Sequence, residues 1–331
     1  MSFRNIVGQK NVTEVLEESI VRDRIGHAYL FYGADGIGKY TVAEAFAKRI
    51  MCMNPQDGEN CMQCEACVLN KNSTNPDLNI IDVPEGKASI GVKAIRELQE
   101  DVITAPLYSA KKVYIIRHSD KLTVEAQNTL LKTLEEPPIY VVIILLCSNI
   151  SLMLDTVRSR VHRLDFARYT DGEIRKILEL KMLDAADDGG VFVYADGLQG
   201  RAISYFQDME INDIRAELMG VVEKLSSGRA SERIKCTKYL SDLKGRKEFV
   251  FFTLMSFYRD IAQISRYGRN SRLQNRQQAE KIAELAQSIG FYRAEDCIEI
   301  IDKTWKRLKQ NVNYDLAVSN MLIKMQEVLY D

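Results

Sequence analysis

The chain should fold as an α/β half followed by an all-helical half, and two observations predict this. Short apolar runs at 28–32, 79–83, 113–116 and 141–147 alternate with segments of helical spacing, the pattern of a parallel sheet flanked by helices. Beyond about Phe166 no further convincing strand is legible, and apolar residues recur only at helical intervals. A length of 331 residues exceeds one ordinary core, so more than one domain is expected.

Taken in order, 28–32 is a strand that runs into a glycine-rich turn. Val42, Phe46 and Ile50 then fall four apart, as one stripe of an amphipathic helix does, and Ile95, Leu98 and Val102 repeat the pattern after Gly91. The longest apolar run, 139–147, is far short of the roughly 20 residues of a membrane span and reads as a buried strand. Residues 1–10 are polar and carry no apolar signal region, so a cytoplasmic protein with no membrane partner is expected. Thr170, followed three residues later by Glu173, is a capping box that opens a helix. Asp187-Asp188-Gly189-Gly190 makes a turn between two helices, Gly197 and Gly200 bracket a tight junction, and a small helical domain is expected at 167–208. From 209 to 331, Phe249, Phe252 and Phe257, and later Leu316, Met321, Leu322 and Met325, mark core stripes. Trp305, among Lys303, Lys306 and Arg307, is expected to anchor a helix packing surface.

Hydrophobic residues at 46%, charged residues at 27% and only six prolines exclude a disordered or fibrous chain. A net charge of −1 gives no overall field to recruit nucleic acid. Locally, 229–281 holds thirteen Lys/Arg against five Asp/Glu, which fits either solvated helix faces or a surface for nucleic acid or an acidic partner.

Gly33-Ala34-Asp35-Gly36-Ile37-Gly38-Lys39 matches the spacing GxxxxGK between a strand and a helix. In that setting glycines let backbone N–H groups point at phosphate oxygens, and Lys39 adds a point charge; the alternative is a strand-to-helix turn with no nucleotide. The hydroxyl that would ligate Mg²⁺ belongs one position on, where Tyr40 stands, with Thr41 a further 100° or so around the helix. At the end of 113–116, where hydrolysis needs carboxylates to hold Mg²⁺ and orient water, stand Arg117 and His118, followed by Ser119 and Asp120. A permanently protonated guanidinium repels Mg²⁺. The sequence therefore predicts a chain silent as an ATPase, and argues against ATP and Mg²⁺ as its working cofactors.

Cys52, Cys61, Cys64 and Cys67 are spaced C-x8-C-x2-C-x2-C, with Pro55, Asp57 and Gly58 making the turn between. In a reducing compartment such clustering favours metal over disulfides, and four thiolates close a tetrahedral shell, so a structural Zn²⁺ is expected. Cys147, Cys236 and Cys297 read as buried hydrophobes.

Three strings then carry a resemblance: Leu130-Leu131-Lys132-Thr133-Leu134-Glu135-Glu136-Pro137-Pro138, the phosphate loop with its downstream cysteines, and Thr156-Val157-Arg158-Ser159-Arg160-Val161. Together they resemble the bacterial clamp-loader subunits of DNA polymerase III, and Phe3 to Gln9 is similar to that family's N-terminal nucleotide-edge segment. The resemblance implies a RecA-like AAA+ domain with a parallel sheet at 1–166, carrying the zinc module at about 52–67. It also implies a helical lid at 167–208 and a helical collar at 209–331, whose ending Asn311-Val312-Asn313-Tyr314-Asp315-Leu316 resembles. It implies that Arg160, with Ser159, reaches a neighbour's ATP, with Arg158 a competitor, although Val161 replaces the family's cysteine. Gly200 stands where an active subunit carries a sensor arginine. A silent site with a retained finger matches the non-hydrolysing delta-prime branch. That branch's partners are ATP-hydrolysing subunits of gamma/tau type, a delta-type subunit, the sliding clamp and primed DNA. Two rivals are a hydrolysing subunit of gamma/tau type and a zinc-containing nucleic-acid-binding module.

Overall fold

A computed structural model describes residues 5–56, 59–183, 189–208, 210–268, 271, 273–310 and 312–330. Phe3, the turn residues Asp57 and Gly58, Asp187, Asp188 and Asn311 lie outside them. The chain divides into two compact units, residues 1–173 with 197–200 and residues 174–196 with 201–331.

In the first unit five strands, β1 (Ala28–Tyr32), β2 (Leu78–Ile81), β3 (Lys112–Ile116), β4 (Val141–Cys147) and β5 (His162–Asp165), form one parallel sheet in the order β2-β3-β4-β1-β5. This is the RecA-like arrangement the resemblance implied. Strands β3 and β4 are buried at every position, because helices cover both faces of a parallel sheet. One face carries α4 (Val92–Val102) and α5 (Val124–Glu135), whose Ile95, Leu98, Leu130 and Leu134 pack on Ile116, Ile143 and Leu145. Strand β2 spans 78–81 where 79–83 was expected, and β1, β3 and β4 lie where the apolar runs put them. The fifth strand escaped the sequence reading, since His162-Arg163-Leu164-Asp165 sits at the sheet edge with three of four residues exposed.

Two carboxylates, the buried Asp77 and the half-exposed Asp101, brace this unit. Asp77 accepts the N–H groups of Leu107 and Tyr108, each at 2.8 Å, and Asp101 takes Lys112 Nζ at 2.7 Å and the Tyr114 hydroxyl at 2.7 Å. Thr170 and Glu173 form the expected capping box: Glu173 Oε2 accepts from Thr170 N at 2.8 Å, and Thr170 Oγ1 accepts from Glu173 N at 3.3 Å. It opens α7 (Asp171–Leu180).

The second unit contains α8 (Gly189–Ala195), α10 (Ile211–Ser226), α11 (Ala230–Asp242), α12 (Lys247–Tyr267), α13 (Ala279–Ile289), α14 (Phe291–Leu308) and α15 (Tyr314–Tyr330), with most of α7 and of α9 (Gln199–Gln207). Gly189 and Gly190, expected in a turn, form the first turn of α8, where a Cβ on Gly190 would stand 2.3 Å from the Arg215 guanidinium. Trp305 is buried against Phe251 and Phe252, ring centroids 5.5 and 6.1 Å away. Met321, Leu322 and Met325 are core, but Leu316 is 70% exposed, contrary to expectation. The buried stripe of α15 is Tyr314, Val318, Met321, Leu322, Met325 and Leu329, and Leu316 lies about 200° around the helix from Tyr314. Cys147, Cys236 and Cys297 are buried as expected. No helix among the described residues is long and apolar enough to cross a membrane.

Candidate functional site

The C-terminal ends of parallel strands are where such sheets place ligands, and here β1 ends in the glycine-rich loop. Gly33 N–H donates to Cys147 O at 3.1 Å, which ties the loop to the end of β4. Gly36 and Gly38 take φ of +78° and +102°, a region costly to other residues, and Gly38 caps α2 (Lys39–Ile50). Lys39 is 7% exposed, and its ammonium is turned onto the loop's own backbone, donating to Gly33 O and, at 3.0 Å, to Ala34 O. Asp35 Oδ1 stands 3.5 Å from it and also accepts from Ser148 Oγ at 2.7 Å. Burial pulls the Lys39 pKa below the ordinary lysine value, against the opposing field of Asp35.

The segment 197–200 packs on this loop. Gly200 N–H donates to Gly36 O at 2.8 Å, and a Cβ on Gly200 would stand 2.9 Å from Gly36 Cα. Glycine is required there by the close approach of two backbones. The Gln199 amide lies over Gly38, 2.0 Å from where a Cβ would be. Gln9 brackets Ala167, its Nε2 donating to Ala167 O at 2.6 Å and its Oε1 accepting from Ala167 N at 3.0 Å. A cavity of about 220 Å³ opens beside them, lined by Gln9, Asp165, Tyr169 and Glu173 among others.

At the end of β3, Arg117 NH1 pairs with Asp82 Oδ2 at 3.1 Å, and its guanidinium lies 5.1 Å over the Tyr40 ring. His118, in the left-handed region at φ +50°, brings Nδ1 to 2.7 Å from Asp82 Oδ1. Burial raises the Asp82 pKa, but bonds from His118 and the Val83 N–H and the charge of Arg117 outweigh it, so the carboxyl is held below its ordinary range. The strand end is thus a cation and an imidazole knitted to one carboxylate. Thr41 lies in the first turn of α2, one place beyond Tyr40.

The four clustered cysteines converge as the spacing predicted. Cys52, just past the end of α2, stands 3.6 Å from Cys61 and 3.9 Å from Cys64, Cys61 stands 4.0 Å from Cys67, and all four sulfurs lie within 4.8 Å of one another. Zn–S bonds of about 2.3 Å in a tetrahedron place sulfurs about 3.8 Å apart, whereas a disulfide needs about 2.05 Å. The donor set therefore fits a closed metal shell. The N–H of Cys64, at 3.3 Å, and that of Gln63 lower the Cys61 pKa to about 6, favouring the thiolate that a metal needs, while burial pushes Cys67 up to about 12.

Arg160 follows α6 (Asp155–Arg158) and is partly exposed. Its NH1 donates to Thr156 O at 2.9 Å and Ser159 Oγ at 3.3 Å, and its NH2 pairs with Glu135 Oε1 at 2.7 Å. Arg158 is taken up by Asp155 of its own helix at 2.5 Å. The sequence reading did not foresee Asp82, Gln199 or Glu135 as partners at these sites. Asp82 follows the end of β2, beside the end of β3, and that neighbouring strand end is the signal that could have found it.

Comparison with known proteins shows what the chain is similar to. A family profile described as "DNA polymerase III, delta subunit" matches residues 8–170. The DNA polymerase III subunit tau of Bacillus subtilis is 29% identical over 332 residues, 93% of this chain but only 58% of tau. The subunit delta' of the same organism is 28% identical over 326 residues, 96% of each chain. A DNA polymerase III gamma-subunit-related protein from Thermotoga maritima shares the fold, with a TM-score of 0.53 at 16% identity over 96% of this chain and 99% of that one.

Proposed function

We propose that the chain is a clamp-loader subunit of DNA polymerase III, of delta-prime or gamma/tau type, and a member that does not hydrolyse ATP itself. In this reading Arg160, steadied by Ser159, supplies an arginine finger to the ATP of a neighbouring gamma/tau-type subunit. A delta-type subunit, the sliding clamp and primed DNA complete the complex, in the cytoplasm. The division into a RecA-like domain at 1–166, a lid at 167–208 and a collar at 209–331 belongs to the same proposal. The observation that carries it is Arg117. A guanidinium fixed between Asp82 and the Tyr40 ring occupies the strand end from which a carboxylate would hold Mg²⁺. Gly200 in place of a sensor arginine supports it.

The zinc module would be structural. Cys52, Cys61, Cys64 and Cys67 would hold Zn²⁺, which closes a shell with no position for water and fastens the segment after α2. The 29% identity to tau favours a hydrolysing rival, against which the missing carboxylates argue. A DNA-binding module is disfavoured because several cations of the basic stretch are spent on acidic neighbours: Lys235 on Glu232, Arg246 on Asp208 and Glu210, Lys281 on Glu223.

The test is ATP turnover by the chain reconstituted with gamma/tau-type and delta-type subunits, clamp and primed DNA. Arg160→Ala should lower turnover at least about tenfold with the assembly intact, the scale of a lost phosphoryl-contacting arginine. Unchanged turnover would remove the finger from the account.

A further inference from the structure

Arg160 lies in the turn just beyond the four-residue helix α6, a short support for a long side chain that must meet a phosphoryl group within a fraction of an ångström. An arginine side chain is long and rich in rotamers, so a free one would spread over many positions. Here it is gripped from α5 instead. At the start of that helix Gln127, 1% exposed, donates to Leu152 O at 3.0 Å and accepts from Leu154 N at 2.8 Å, which fixes the chain entering α6. At the far end Glu135, the last residue of α5 before Glu136, Pro137 and Pro138, takes the guanidinium itself at 2.7 Å.

We infer that Glu135 is a positioning residue for the arginine finger, aligning Arg160 for the neighbour's ATP; this rests on the reading of Arg160 given above. The donor arithmetic supports it. Of the five N–H donors of a guanidinium, those on NH1 engage Thr156 O and Ser159 Oγ, and the NH2 edge is held by the Glu135 carboxylate as an ion pair. Nε donates no hydrogen bond among the described residues and NH2 meets Glu135 only as an ion pair, so the group is oriented yet keeps donors for phosphoryl oxygens. With Glu135 49% and Arg160 37% exposed, the pair does little for stability, and its removal should be felt in geometry rather than in folding.

The experiment is a double-mutant cycle in the reconstituted complex, reading kcat and KM for ATP with the melting temperature of each variant. Glu135→Ala should lower kcat about three- to tenfold with KM within about twofold, the pattern of an interaction lost in the transition state. Glu135→Gln, which keeps an acceptor oxygen at the same reach, should restore kcat to within about twofold of native. In an Arg160→Ala background, Glu135→Ala should cost nothing more. If Arg160→Ala lowers kcat while Glu135→Ala leaves it unchanged or raises it, the positioning role is wrong and the finger stands. An equal loss from Glu135→Ala in both backgrounds would place its effect elsewhere and also overturn the inference. If Arg160→Ala itself changes nothing, the finger reading fails first.

Discussion

The cysteine cluster and the phosphate loop lie at opposite ends of α2, and both are legible as motifs, yet their side chains behave differently. In the cluster the spacing brings four sulfurs within 4.8 Å of one another, so the motif and its chemistry coincide. In the loop the spacing gives the backbone its turn and its positive-φ glycines, but Lys39 bonds Gly33 and Ala34, and the strand end beside it offers Arg117. Spacing predicts a backbone. Whether the backbone still does chemistry depends on residues brought in from other strands, which spacing does not reach.

The largest effect that would break this comparison is on the cysteine side. Removing zinc, or Cys61→Ser, should unfold the module after α2, since structural zinc in small sites contributes on the order of 10 kcal/mol. Metal analysis should find one zinc per native chain and none in the variant, with a lower melting temperature; a variant that melts with the native protein would make the cluster incidental. On the loop side Gly38→Ala should cost about 1–3 kcal/mol, from its φ of +102° and the overlying Gln199, measured by denaturant unfolding. A neutral outcome would mean that the loop readily opens away from 197–200.

The smallest effect is at Asp82. Its folded pKa is depressed, so it contributes stability above its unfolded pKa of about 4 that is lost as pH falls through the folded value. The stability gap between native protein and Asp82→Asn should therefore be full near neutrality and shrink in acid. A gap independent of pH would deny that His118 and Arg117 are held by the charge.

How much was legible follows burial. Strand β4 announces itself because both its faces are covered, so every residue is apolar, whereas β5 is an edge strand of His, Arg, Leu and Asp that no periodicity marks. The helices α2 and α4 are amphipathic and were readable; the face of α15 was misjudged only at Leu316, where an apolar residue points outward. At the site, the loop glycines, Lys39 and the four cysteines are local in sequence. The bond of Asp82 to His118 spans 36 residues, and Gln199 meets Gly38 across 161 positions that only the fold brings together.

The most direct test of the central claim is ATP turnover by the isolated chain with Mg²⁺, native and Lys39→Ala in parallel. The account predicts no turnover above the blank for either, because Arg117 and His118 stand directly after β3 where carboxylates would hold the metal and orient water. Steady hydrolysis by the native chain that Lys39→Ala abolishes would contradict it and make this a working ATPase.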